Sequence, residues 1–337
     1  MRAVVFTEPG PSSVLRLVDR DLPEPAAGEV RVRLVRSGVN PTDWKRRQQP
    51  LPAPEITPGQ DGAGVVDAVG DGVEGLSVGD RVWILLGQRE KAHGTAADYT
   101  VQDATHVVPL PDGASYDLGA SIGVPAITAH RALTSGEFGP TRLQPGSMDG
   151  LTVLVAGGAG AVGNSAIQLA RWAGATVVTT VSGPEKAALA TAAGAQHVVN
   201  YREGDTEAAV LAAAPDGVDL VVEVAPAQNN DLDVAVTKVH GTVAIYANNG
   251  GDSYTVPLRP TFSKNLRYQY VILYTLDERL LRAAVDDVSA AVSAGALCVG
   301  EDAGVPLHHF SLEDAAAAHD AVEAGAVGKV LLDISDD

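Results

Sequence analysis

The fold of this chain is decided by the stretch Val153-Leu-Val-Ala-Gly157-Gly-Ala-Gly160-Ala-Val-Gly163-Asn-Ser-Ala-Ile-Gln-Leu-Ala-Arg171. An apolar run, a glycine cluster and apolar residues at helical spacing predict a strand, a tight turn and a helix. We expect Gly157 and Gly158 to turn the chain off the strand and Gly163 to let the helix pack against it. Gly160 would let a pyrophosphate approach the backbone. The phosphates would bind at the helix N-terminus, beside Ala161 and Val162, where unpaired N–H groups favour anions.

The segments after this stretch decide between two interpretations of the glycine cluster, a dinucleotide site and a tight turn without ligand. Apolar runs over 175–180, 197–200 and 218–223 predict strands, and 184–193 predicts a helix. Strands that alternate with helices form a parallel sheet of the dinucleotide-binding, or Rossmann, type. The sequence therefore predicts an α/β fold with a dinucleotide at its first glycine-rich turn.

The end of the second predicted strand indicates which dinucleotide binds. NAD-binding units place Asp or Glu about 20 residues after the glycines, where it holds the ribose 2′-hydroxyl. Here that position reads Thr180-Val-Ser182-Gly183 and carries no acid. Ser182 can donate to a 2′-phosphate and Lys186 can pair with it, so NADPH is favoured. The alternative for Lys186 is an ordinary solvated lysine.

Composition excludes several classes of partner. The 337 residues carry 42 acidic and 24 basic side chains and a formal charge of -18, which argues against nucleic acid and anionic membranes as partners. A single cysteine, Cys298, excludes an intramolecular disulfide and suits a reducing cytoplasm. Residues 1–6 predict an opening strand rather than a signal peptide, and we expect a cytoplasmic protein.

The two ends of the chain differ from the middle. Short apolar segments separated by Pro- and Gly-rich turns predict a small antiparallel barrel, at 30–35, 64–69, 81–86, 97–101 and 106–109. Between the ends, the sequence predicts a helix over 122–133 and a loop over 136–150. The C-terminal part is predicted to contain an edge or subunit-contact strand within 266–274 and a helix over 280–295. A capping box at Ser311 predicts the start of another helix, and residues 328–333 predict a last strand. The contact strand makes a homodimer the expected assembly.

Motifs along the whole chain resemble the zeta-crystallin-like quinone oxidoreductases of the medium-chain dehydrogenase/reductase superfamily. They are Ser37-Gly-Val-Asn40-Pro-Thr-Asp43, Pro58-Gly-Gln-Asp61-Gly-Ala-Gly64, Val78-Gly-Asp-Arg-Val82, the glycines 157–163, Asn200-Tyr-Arg-Glu203 and Gly328-Lys329. The resemblance implies a GroES-like β-barrel catalytic domain from residues 1–126 and 272–337. It also implies a Rossmann NADPH-binding domain from residues 127–271.

The resemblance assigns roles to single residues. Asn40 is expected beside the nicotinamide ribose and the substrate, and Thr128 is expected to face the nicotinamide. Ser182, Lys186 and Tyr201 match positions near the adenosine 2′-phosphate. We also expect cofactor contacts from Tyr246, Ala247, Leu273 and Lys329, the last at the junction of the domains.

A comparison with the zinc enzymes of the superfamily predicts that this chain works without a metal. Alcohol dehydrogenases have a zinc-binding cysteine where this chain has Asn40, and a Gly-His-Glu motif where it has Gly59-Gln60-Asp61. Amides are poor zinc ligands and one carboxylate does not hold the ion alone. His93, His106 and His130 lack ligand spacing. Without a Lewis acid, hydride delivery to a quinone or an α,β-unsaturated carbonyl is favoured over alcohol oxidation.

One loop departs from the zeta-crystallin-like pattern. After Asp43 the chain has Trp44-Lys45-Arg46-Arg47 instead of a Thr-Tyr pair, which is similar to alkenal and enone reductases. Lys45 is a candidate for stabilising an oxyanion, and the alternative is a solvated lysine beside two arginines. Trp44 is a candidate for stacking on a flat substrate, and the alternative is that it covers the loop's own hydrophobic contacts. Residues 85–96 are expected to line the other side of the cleft.

We therefore predict an NADPH-dependent, zinc-independent reductase of quinones or α,β-unsaturated carbonyl compounds. Two alternatives remain at this point. One is an enoyl-thioester or biosynthetic enone reductase, and the other is a noncatalytic NADPH-binding protein.

Overall fold

The structure is a computed structural model that describes residues 1–89 and 91–336. Its strands are β1 (Arg2–Val5), β2 (Arg16–Asp19), β3 (Glu29–Val39), β4 (Asp61–Val69), β5 (Arg81–Ile84), β6 (Tyr99–Asp103), β7 (Val107–Pro109), β8 (Thr152–Ala156), β9 (Thr176–Val181), β10 (His197–Asn200), β11 (Val218–Glu223), β12 (Thr237–Ile245), β13 (Arg267–Tyr270), β14 (Leu307–Ser311) and β15 (Lys329–Asp333). Its α-helices are α1 (Pro41–Arg47), α2 (Tyr116–Leu133), α3 (Ala161–Trp172), α4 (Pro184–Ala192), α5 (Thr206–Ala213), α6 (Pro226–Val236), α7 (Leu258–Ser263), α8 (Glu278–Ser293) and α9 (Ala315–Glu323).

The described chain divides into two compact units. The first unit combines Met1–Val124 with the residues from Pro306 onward, and the second is Pro125–Val305. The predicted domain boundary at 271/272 therefore differs from the structure. Residues 272–305 belong to the second unit because Asp287 of α8 accepts a hydrogen bond from Leu143 N at 2.7 Å and contacts His130 Nε2 of α2 at 2.8 Å.

The second unit contains the predicted parallel sheet. Six strands lie in the order β10-β9-β8-β11-β12-β13, and all neighbouring pairs are parallel. Every strand then ends at the same edge of the sheet, which is the edge where open α/β sheets bind ligands. The segment predicted as an edge strand is β13, which forms one border of this sheet.

The first unit is built on the long strand β3. One side of β3 pairs antiparallel with β4, while its other side is shared between β6, along residues 29–33, and β15, along residues 36–39. The seven-stranded sheet ends at β14 and β7, so within the described residues the predicted antiparallel barrel is an open one. Its interior is apolar, with Val30, Val32 and Leu34 fully buried.

Two predicted helix starts differ from the structure. The helix expected from residue 122 begins at Tyr116, because Ser115 Oγ accepts a hydrogen bond from Leu118 N at 3.1 Å and caps the first turn. At the other end of the chain, Ser311 makes no capping bond to the backbone. Its hydroxyl donates to the Asp314 carboxylate at 2.8 Å, and α9 begins one short turn later at Ala315.

Among the described residues, no helix combines the length and the apolar character needed to cross a bilayer.

Candidate active site

The glycine-rich turn has the geometry that its sequence predicts, with one difference. Gly157 has a φ of 69°, which favours glycine, and a Cβ on Gly163 would lie 2.5 Å from the Gly157 carbonyl oxygen. Gly158 is needed for space rather than for the turn, because its Cβ would lie 2.2 Å from Thr179 Oγ1. A Cβ on Gly160 would meet nothing closer than 3.5 Å.

The same turn leads directly into α3. Gly160 is the N-cap of this helix, and Ala161, Val162 and Gly163 form its first turn. The N–H groups of a first helical turn have no partner within the helix. Together with the exposed face of Gly160, they form a cradle of the kind that holds a phosphate. These residues fit the dinucleotide that the sequence predicts.

Three further candidates lie on this edge of the sheet. Ser182 follows β9 directly, Lys186 lies in the first turn of α4, and Tyr201 follows β10. Tyr201 N donates to the Val181 carbonyl at 3.0 Å, so the ends of β9 and β10 are held together. The structure therefore brings these three residues to neighbouring strand ends, with the Tyr201 side chain 51% exposed.

Of the remaining cofactor candidates in the second unit, three follow strands of the parallel sheet and one lies in a helix. Tyr246 and Ala247 follow β12 at the same edge, and Leu273 is buried in the short turn after β13. Burial raises the pKa of the Tyr246 hydroxyl, and the Glu223 carboxylate adds to the rise, so Tyr246 stays protonated at neutral pH. Thr128 lies within α2, where it is buried, and not at a strand end.

A buried carboxyl pair adjoins this edge and was not predicted. Glu223 ends β11 and is fully buried, with its carboxylate accepting hydrogen bonds from Ala225 N and Asn229 Nδ2. Burial and the neighbouring Glu223 raise the pKa of Asp233 on α6 well above its usual value. Burial raises the pKa of Glu223 as well, so proton binding at one of the two carboxyl groups affects the other.

The first unit contains a buried polar cluster formed by Asn40, Asp61 and Lys329. Lys329 Nζ lies 2.9 Å from Asp61 Oδ2 and donates to Asn40 Oδ1 at 2.8 Å. Asn40 Nδ2 donates to Asp61 Oδ2 at 2.8 Å, which closes the triangle. The second Asp61 oxygen accepts from Val124 N at 2.7 Å. The side chains of Lys329 and Asp61 are 2% and 0% exposed, so this ion pair is out of contact with bulk water.

Two glycines provide the space for this cluster. A Cβ on Gly38 would lie 2.8 Å from Lys329 Cε and 2.0 Å from the Ala120 carbonyl oxygen. A Cβ on Gly123 would lie 2.3 Å from Asp61 Oδ1. Any larger residue at either position would displace a charged group of the cluster, so the two glycines are part of its construction.

Asp43 adds a fourth buried group beside the cluster. Asn40 is the N-cap of α1, and its backbone N–H donates to Asp43 Oδ2 at 2.7 Å. Burial raises the pKa of Asp43 to about 7, and the Asp61 carboxylate acts in the same direction, while the Asn40 N–H and Lys329 oppose the rise. Asp43 therefore exchanges its proton near neutral pH.

Trp44 and Lys45 lie on α1 next to this cluster in sequence. Both are half-buried, and Lys45 Nζ lies 5.8 Å from the centre of the Trp44 ring. Arg47, at the end of the same helix, is fully buried. Its guanidinium contacts His319 Nδ1 at 3.0 Å and Glu323 at 3.2 Å on α9, so α1 is anchored to that helix.

Gln60 is joined to the stretch 85–96 through the side chain of Gln88. Gln60 Nε2 donates to the Gln88 side chain at 3.4 Å, and both amides are buried. Glu90 of this stretch lies outside the described residues. Within the part of the chain that the structure describes, no group of three or more His, Cys, Asp or Glu side chains is arranged to hold a metal ion.

The fold and the site define the class of protein. A GroES-like domain model described as "Alcohol dehydrogenase GroES-like domain" matches residues 26–112, and one described as "Zinc-binding dehydrogenase" matches residues 161–290. Together with the six-stranded parallel sheet and its glycine-rich turn, these matches make the chain an oxidoreductase of the medium-chain dehydrogenase/reductase type.

Full-length relatives then show the family. The quinone oxidoreductase of Rattus norvegicus is 30% identical over 341 residues, covering 98% of this chain and 97% of the relative. The Escherichia coli quinone oxidoreductase solved with NADPH is 26% identical with a TM-score of 0.81, covering 98% and 99% of the two chains. An NAD-dependent alcohol dehydrogenase is 30% identical with a TM-score of 0.83, covering 99% and 100%. The chain belongs to the quinone oxidoreductase family of this superfamily.

Proposed function

We propose that this chain is an NADPH-dependent, zinc-independent reductase that transfers a hydride to a quinone or an α,β-unsaturated carbonyl compound. The observation that carries the proposal is the Asn40–Asp61–Lys329 cluster. Asn40 and Asp61 correspond to positions in the zinc site of alcohol dehydrogenases. Here they are bonded to each other and to the buried ammonium group of Lys329. A divalent cation at this place would be repelled by Lys329 and would have to displace its bonds to Asp61 and Asn40.

The residues at the end of β9 support NADPH as the cofactor. Ser182 directly after β9 would supply a donor to a 2′-phosphate and Lys186 in the first turn of α4 a positive charge, and no acid occupies positions 182–184. A relative solved with NADPH points the same way, although another similar structure is of an NAD-dependent enzyme. The choice therefore rests on this chain's own side chains, with Tyr201 as a third group on the same edge.

The chemistry follows from this assignment. NADPH, when bound, supplies the hydride, and the first turn of α3 would hold its pyrophosphate. In the first unit, Asn40 would present an amide N–H to the nicotinamide ribose and the substrate, with Lys329 beside it. Lys45 is the proposed electrostatic partner of the developing enolate or hydroquinone oxyanion, and Trp44 would pack on a flat acceptor.

We also propose a cytoplasmic homodimer. The support is β13, which borders the parallel sheet: Tyr270 at its end is 62% exposed, and Ile272 just after it is 59% exposed. An edge strand with exposed apolar side chains pairs readily with a second copy of itself. Sedimentation that finds a monomer at micromolar concentration would contradict this assembly.

The test of the function is a single assay series. Purified protein is treated with a chelator, mixed with NADPH, and offered a simple quinone, a 2-enone and an enoyl thioester in turn while NADPH absorbance is followed. We expect oxidation with the quinone or the enone and no stimulation by added zinc. Oxidation that requires zinc would refute the metal-free mechanism, a preference for the thioester would change the substrate class, and NADPH binding without turnover on any acceptor would indicate a binding protein.

A further inference from the structure

The side chain of Asn40 has more partners than its position in α1 requires. An asparagine at a helix N-cap normally turns its side-chain oxygen toward the N–H groups of the first turn. Asn40 is the N-cap of α1 and forms a capping box with Asp43. Its amide also bonds to Lys329 and Asp61, which lie 289 and 21 residues away in the sequence.

The two charged partners select one orientation of this amide. The amide oxygen accepts from the Lys329 ammonium at 2.8 Å, and the amide nitrogen donates to the Asp61 carboxylate at 2.8 Å. After a flip of the amide, its NH₂ group would face an ammonium and its oxygen would face a carboxylate. Both contacts would then be repulsive, in a site where burial leaves little solvent to screen them.

From this geometry we infer that Lys329 and Asp61 are positioning residues, which hold the Asn40 amide so that its second N–H is presented in one fixed direction. An amide nitrogen has two hydrogens, and only one is used by Asp61. The remaining hydrogen is a donor whose direction is set by the other two bonds. The kinetic consequence of this inference rests on the proposed function, in which that donor serves the cofactor and substrate.

The test removes both charges together, so that neither is left buried without a partner. The double variant Lys329→Met/Asp61→Leu replaces the ion pair by apolar side chains of similar size. The Asn40 amide then keeps its capping contact with α1 but loses the two charged partners that select its orientation. We expect kcat for the quinone to fall at least tenfold. We also expect Asn40→Ala, which should cost about a hundredfold in the wild-type background, to cost less than twofold in the double variant.

The control is Lys238→Met, which removes the partner of Asp219 in the second unit, a Lys–Asp pair with a separation of 2.8 Å. In that background Asn40→Ala should keep its full effect. If Asn40→Ala costs the same factor in the Lys329→Met/Asp61→Leu protein as in the wild type, Lys329 and Asp61 act independently of Asn40 and the inference is wrong.

A second measurement needs neither turnover nor a folded Lys329→Met/Asp61→Leu protein. In ¹⁵N-labelled wild-type protein, the Asn40 side-chain amide, assigned by its loss in Asn40→Ala, should give two well-separated proton signals with slow solvent exchange. Exchange at the rate of a solvated amide would overturn the inference. Because this readout does not depend on activity, it still decides the positioning role if the chain oxidises NADPH with none of the acceptors.

Discussion

The raised pKa of Asp43 has a consequence for stability that can be calculated. This carboxyl is 2% exposed, and burial raises its pKa from 3.8 to about 7 in the folded protein. A group whose pKa is higher in the folded state contributes stability when it is protonated, and that contribution is lost as pH rises through the folded pKa. Wild-type stability should therefore lose a contribution of roughly 2.5 kcal/mol between pH 5 and pH 8, out of about 4 kcal/mol for the complete titration.

The substitution Asp43→Asn isolates this contribution because the amide oxygen can still accept the Asn40 N–H. We expect the free energy of unfolding of Asp43→Asn to exceed that of the wild type by an increasing margin as pH rises from 5 to 8. Urea denaturation at four pH values measures this difference, and the exposed Asp21→Asn controls for the change in net charge. Parallel stability curves for Asp43→Asn and the wild type would refute the reasoning, since they would mean that Asp43 is ionised throughout this range.

Two further predictions concern the second unit. Lys186→Ala should raise the Kd for NADPH about tenfold and change the Kd for NADH less than twofold, because only the 2′-phosphate loses a charged partner. A fluorescence titration measures both constants, and an unchanged Kd for NADPH would mean that Lys186 does not hold that phosphate. Gly163→Ala should destabilise the fold by about 1–3 kcal/mol, because its Cβ would lie 2.5 Å from the Gly157 oxygen. Gly160→Ala, whose Cβ meets nothing closer than 3.5 Å, should keep the wild-type Tm and weaken NADPH binding; equal Tm values for the two variants would contradict the packing argument.

The parallel sheet was the part of the fold that the sequence predicted best, for a physical reason. Strands buried on both faces are continuous apolar runs, and β8, β9 and β11 have this character. The strand β12 was not predicted because polar residues interrupt its first half. His240 there has a φ of 65°, and the register with β11 shifts between Val218 and Leu220. An irregular strand of this kind has no simple period of two to detect.

The candidate site was predictable residue by residue but not as an arrangement. The family motifs pointed to Asn40 and Lys329 separately, and the structure shows in addition that the two side chains are in direct contact. No local pattern could show this contact, because it joins the end of β3 to the start of β15. Asp61 was considered only as a poor zinc ligand. The glycines that make room for the cluster, Gly38 and Gly123, are distant from Asp61 in the sequence, so no pattern around Asp61 pointed to them.

The cost of the buried cluster supports a functional role for it. A buried ion pair gains little stability over well-packed apolar residues of the same volume, since desolvation offsets the attraction of the charges. Gly38 and Gly123 add to this cost, because glycine loses more backbone entropy on folding than any other residue. Stability therefore does not explain why Lys329 and Asp61 are buried together. An apolar pair in their place could fill the same space, but it could not distinguish the oxygen of the Asn40 amide from its nitrogen, and that distinction is what the two charges provide.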